Sequence, residues 1–114
     1  MNIYLDDERQ TPEGYVRTYS VDETIELIKA NNGNIERLSL DNDLGTGYDE
    51  GRKVLDWIEE QSFNNTLLPI PHIIIHTGNP VAADIMMKSR YNSWKNWINH
   101  GYDRMEWLQK NYTL

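Results

Sequence analysis

What most restricts this chain is an alternation: short apolar, β-prone runs are separated by stretches whose apolar residues recur at helical spacing. The runs are "IYL" at 3–5, "YVRTYS" at 15–20, "IERLSL" at 35–40 and "HIIIH" at 72–76. After the second run, Ser20 and Glu23 form a capping box ahead of Val21, Ile25 and Ile28, and "NNG" closes that helix with Gly33 as a left-handed cap. "DEGRKVLDWIEEQ" at 49–61 reads as a second helix, with Val54, Leu55, Trp57 and Ile58 on its apolar side. In the third, Asn79 is the cap, Pro80 takes the first helical position, and Met87, Tyr91, Trp94 and Ile98 follow at spacings of four, three and four. Strands alternating with helices predict an α/β fold, a parallel sheet with helices packed on it. No helix fits between "DDER" and "YVRTYS", so the first two strands are joined directly.

In such sheets ligands bind beyond the carboxyl ends of the strands, where strand order reverses. Three strand ends carry polar clusters: "DDER" after the first, "DND" after the third and "HTGNP" after the fourth. Neighbouring first and third strands would bring Asp6, Asp7, Asp41 and Asp43 together. Two unit charges ~4 Å apart repel by about 4 kcal/mol at an effective dielectric near 20. A divalent cation removes that repulsion, and Mg²⁺ suits hard carboxylate oxygens while keeping waters that can serve a phosphate. A calcium loop starting at Asp41 fails, because its sixth position is Thr46 where glycine is required and its twelfth is Arg52 where a glutamate is required.

The "HTGNP" corner supplies the complementary half. Thr77 offers a hydroxyl, Gly78 admits close backbone approach, and the helix opening at Asn79 and Pro80 attracts anions. His76 can give or take a proton near neutral pH, or be a satisfied histidine at a strand end. Arg9 either clamps a phosphate with its planar fork or lies in an ion pair. His72 and His100 are assigned to structure.

Length and charge narrow the rest. At 114 residues the chain is expected to be one domain, 1–114, with 81–114 as a basic, aromatic-rich helical part. The net charge of -7 argues against duplex DNA as a partner, since that affinity comes from cations neutralising phosphates. The charge is uneven: residues 1–87 hold 6 Lys+Arg against 16 Asp+Glu, whereas residues 88–114 hold 5 against 2. That C-terminal part either covers a sheet edge or forms a homodimer face. Of Trp94 and Trp97, angularly close on one helix, one is expected to be exposed. No apolar run approaches the ~20 residues of a membrane span, no signal peptide is evident and cysteine is absent, so a soluble, cytoplasmic protein is expected.

The acidic pair Asp6 and Asp7, Asp41 in "SLDNDLG", "GYDEGRKVLDWI" and Thr77 resemble a response-regulator receiver domain over residues 1 to about 80. The resemblance implies a truncated receiver-like, flavodoxin-like sheet of about four strands in the order 2-1-3-4, with the first helix and fifth strand missing or replaced. The lysine that ordinary receivers carry has no secure counterpart here. "DDER", "LDNDLG" and "HTGNP" together are more similar to a receiver variant, the cyclic-phosphate processing receivers of bacteria and phages, although Asn42 stands where members often have histidine. That resemblance implies a metal-dependent phosphoesterase-like domain acting on cyclic phosphates of a nucleotide or an RNA end. Asp6, Asp7 and Asp41 would hold Mg²⁺ or Mn²⁺. Arg9, Thr77, Gly78 and Asn79 would bind phosphate, and Asp41, Asp43 and His76 would carry the chemistry. The alternative is a non-enzymatic pseudo-receiver or a module that binds a nucleotide signal.

Overall fold

The computed structural model describes residues 1–44, 50–66 and 71–102. Its elements follow the order β1 (Asn2–Leu5), β2 (Tyr15–Thr18), α1 (Val21–Ala30), β3 (Arg37–Leu40), α2 (Arg52–Phe63), β4 (His72–Ile75) and α3 (Pro80–Asn99). The four strands form one parallel sheet in the order β2-β1-β3-β4. This is the expected receiver-like α/β architecture, and residues 6–14 join β1 to β2 without a helix. The segment 103–114, expected to contain a last helix or strand, lies outside the described residues.

Strand period sorts the sheet into two faces. Ile3, Leu5, Leu38, Leu40 and Ile73 enter one buried cluster with residues from all three helices, among them Ile28, Leu55 and Met86. The alternate positions Tyr4, Ser39 and Ile74 belong to the opposite face. Register places Leu5 opposite both Thr18 and Leu40, and Leu40 opposite Ile75. The next residues, Tyr19, Asp6, Asp41 and His76, therefore stand in one row across the carboxyl ends of β2, β1, β3 and β4. Three backbone bonds prolong the ladder to that row: Asp6 N to Thr18 O at 3.2 Å, Asp41 N to Leu5 O at 3.0 Å and His76 N to Leu40 O at 3.0 Å.

Helix ends follow their local chemistry. Ser20 accepts the amide of Glu23 at 3.2 Å, and the Glu23 carboxylate returns to the amide of Tyr19. Gly33 adopts φ 88° beyond α1. Asn79 caps α3 through the amide of Ala82 at 3.1 Å, with Pro80 at the helix start.

Two expectations change. The second helix begins at Arg52 instead of 49, because Asp43 and Glu50 form an antiparallel bridge and Asn42 Oδ1 accepts the Arg52 amide at 3.2 Å. On α3 the stripe of Met87, Tyr91, Trp94 and Ile98 faces outward; Ala82, Met86, Ser93 and Trp97 face the core. Of the two tryptophans, Trp97 is 2% exposed and Trp94 41%. Among the described residues no helix is long and apolar enough to cross a membrane.

Candidate metal centre

The row at the strand ends gathers acids because two adjacent parallel strands each finish on aspartate. Asp6, Asp7 and Asp41 each present an oxygen, and these oxygens lie within 4.8 Å of one another. Asp6 is fully buried, Asp41 is buried and Asp7 half-buried.

Asp6 is the most constrained group. Its Oδ1 accepts the amides of Glu8 at 2.8 Å and Arg9 at 3.0 Å, which folds the "DDER" segment back over the carboxylate. Its Oδ2 accepts from Arg9 Nη1 and pairs with His76 Nε2, both at 3.0 Å. Burial alone would raise its pKa; the two amides, the guanidinium and the imidazole outweigh that and hold the carboxyl at about 2. Asp41 differs. Burial pushes its pKa up, the nearby Asp6 charge adds to the rise, and the Asn42 amide at 2.8 Å only partly opposes it.

Arg9 Nη1 sits among these groups, 3.0 Å from Asp6 Oδ2, 3.5 Å from Asp41 Oδ2 and 3.1 Å from the His76 carbonyl it donates to. The repulsion expected from the sequence is thus partly offset by one half-exposed guanidinium. Three carboxylates share a single guanidinium, so acidic groups outnumber the cation that faces them. Hard oxygen donors at this spacing, with acidic groups in excess, fit a divalent cation.

His76 is held on both sides. Nδ1 lies 2.7 Å from Ser39 Oγ, Nε2 lies 3.0 Å from Asp6, and the ring stacks on Tyr4 at 4.5 Å and 2°. Burial lowers its pKa despite the Asp6 partner, so the ring is neutral near pH 7. An ionised carboxylate only accepts, which puts the ring proton on Nε2 and leaves Nδ1 to accept from the Ser39 hydroxyl. Sequence reading singles out His76 for proton transfer; the geometry occupies both nitrogens inside the protein.

Arg17 is a participant the sequence reading missed. From β2 its Nε donates to the Asp6 carbonyl at 2.8 Å, and Nη1 donates to the Arg9 carbonyl and to Thr11 Oγ1. These bonds tie down the connection that carries Asp6, Asp7 and Arg9, where no helix does so. Ser39 and Tyr4 were also missed. A period-two signal exists for all three, since Arg17, Tyr4 and Ser39 precede the Tyr19, Asp6 and Asp41 row by two residues and share its face.

The remaining expected residues follow the ends of β3 and β4 in the chain. Asp43 is exposed, accepts from Asn42 Nδ2 at 3.2 Å and is not one of the three clustered carboxylates. Thr77 Oγ1 accepts the Asn79 amide at 3.2 Å, while the Asn79 side chain is committed to its cap. Pro80 lacks an amide proton and that of Ala82 is taken, so the start of α3 offers few free donors to an anion. Gly78 is exposed, and a Cβ there would meet nothing within 4 Å.

No curated protein and no solved structure matches the chain. A family model does: the one described as the cyclic-phosphate processing receiver domain matches residues 1–92.

Proposed function

The chain belongs to the cyclic-phosphate processing receiver domain family, and from that premise we propose that its acidic pocket binds a cyclic phosphate together with a divalent cation and opens one of the ring esters. The observation that carries this reading is the convergence of Asp6, Asp7 and Asp41 on one point, with Arg9 beside them.

Asp6, Asp7 and Asp41 would hold Mg²⁺ or Mn²⁺, which when bound supplies positive charge for the phosphate oxygens. Arg9 is the cationic side chain able to turn from the carboxylates to the phosphate, being half exposed and anchored by its backbone amide on Asp6. Thr77, next in sequence to His76, would add its hydroxyl to the phosphate contacts. In the reaction a water oxygen bonds to phosphorus, one ring P–O ester bond breaks, and the leaving alkoxide gains a proton. Asp43, exposed and outside the three clustered carboxylates, would take the water's proton. His76 acts through Asp6, holding its carboxylate in one orientation.

The test is turnover of 2′,3′-cyclic nucleotides and RNA ends by the purified protein with Mn²⁺ or Mg²⁺. Wild type should yield the monoester, and Asp41→Ala should lose at least 100-fold in rate, the usual scale for removing such a group. A second reading is favoured by the engagement of both His76 nitrogens, which leaves that imidazole no free atom for the substrate. On it the protein binds the cyclic phosphate as a signal without cleaving it. Affinity by calorimetry with no product by chromatography would select it.

A further inference from the structure

The row that holds the acids extends one strand further, to an aromatic side chain no other part of the site uses. Tyr19 follows Thr18 of β2 as Asp6 follows Leu5 of β1. With strands roughly 5 Å apart, its backbone stands about 5 Å from that of Asp6 and about 10 Å from that of Asp41. The side chain is 57% exposed.

Its ring is backed by a fixed cation. The Arg17 guanidinium lies 4.8 Å from the Tyr19 ring centroid and 5.9 Å from that of Tyr4. Tyr4 in turn stacks on His76. Tyr19, Arg17, Tyr4 and His76 form a ladder running alongside the carboxylates. Arg17 cannot shift freely, because it is bonded to the Asp6 carbonyl and to Thr11. The Tyr19 backbone is held through its amide on Glu23. One face of the ring is therefore supported and the ring is otherwise largely open to solvent, at the carboxyl end of β2, one strand from the β1–β3 switch point where ligands of parallel sheets bind.

We infer that Tyr19, backed by Arg17, is a stacking platform for the nucleobase of the bound ligand, so that the preferred cyclic phosphates are those carried on a nucleoside. This rests on the proposed phosphate site and adds to it a second contact, reached by a ligand one nucleoside in length. Stacking reads the π-face of a base and tolerates any of the four, so both purines and pyrimidines are accepted.

The experiment compares binding of 2′,3′-cyclic AMP, 2′,3′-cyclic UMP and base-free ribose 2′,3′-cyclic phosphate in the presence of Mn²⁺, by calorimetry. Wild type should bind both nucleotides about 10-fold more tightly than the base-free compound. Tyr19→Ala should lose that advantage and leave base-free binding unchanged, and Tyr19→Trp should retain it. Equal wild-type affinity for nucleotide and base-free compound overturns the platform while the phosphate site stands. So does an equal loss for both ligands in Tyr19→Ala. Failure of wild type to bind any of the three overturns the phosphate site and the platform together.

Discussion

Asp6 and Asp41 sit side by side with opposite responses to acid. The Asp6 carboxyl is held at about 2 against an ordinary value of 3.8. A depressed pKa contributes stability that is complete above pH 3.8 and is lost as pH falls through the folded value. The shift corresponds to on the order of 2 kcal/mol. Asp41 is raised, so its contribution is present at low pH and lost as pH rises through its folded value. Asp6→Asn should therefore flatten the fall in urea midpoint between pH 4 and pH 2, relative to wild type. A parallel fall in both proteins would show that Asp6 is not the group responsible. Arg9 yields a second expectation. Its guanidinium occupies the surroundings of Asp6 and Asp41 that a cation needs. Half exposed, it competes by about 1 kcal/mol, so Arg9→Gln should bind Mn²⁺ roughly fivefold more tightly while binding phosphate less well. Weaker Mn²⁺ binding in that variant would mean that Arg9 supports the ion instead of competing with it.

Among the elements, the entry to α2 depends most on one residue. Gly51 donates its amide to the Asn42 carbonyl at 2.8 Å, and a Cβ there would fall 1.6 Å from the Asp41 carbonyl oxygen and 2.8 Å from its carbon. Backbone atoms cannot yield as a flexible side chain can. Gly51→Ala should cost about 3 kcal/mol or more in thermal unfolding and weaken Mn²⁺ binding, since Asp41 itself must move. A variant with unchanged melting and unchanged metal affinity would contradict this close approach. Asn42 works at the same junction. It is buried, receives the Arg52 amide and donates to Asp43. It accepts the first amide of α2, where Gly51 has no side chain to serve as a cap.

For the molecule as a whole, α3 decides how much apolar surface is hidden. Trp97→Ala should destabilise by about 3–5 kcal/mol, as for a fully buried tryptophan. Trp94→Ala, three residues earlier but 41% exposed, should cost under about 1 kcal/mol. Equal costs in chemical denaturation would show the helix turned the other way. Among the described residues the sheet ends at β4, where Arg90 Nη1 donates to the Ile73 carbonyl at 3.0 Å. The alternation of strands and helices was legible in the residues, as were both caps and the three polar strand ends. Each is governed by contacts within a few positions along the chain. The strand order 2-1-3-4 came from the family resemblance, and the convergence of Asp6 with Asp41 followed from neighbouring β1 and β3. Less legible was everything that depends on distant partners. The apolar stripe on α3 identified a helix correctly, yet the buried face is another one, set by the helix's packing on α2 and the sheet. Likewise no local pattern assigns Ser39 and Asp6 to the two nitrogens of His76, or Arg17 to the Asp6 loop. Period and capping are short-range sterics, so sequence alone determined them. Which charge neutralises which, and which face is dry, follow from strand register and helix packing, which only tertiary structure decides.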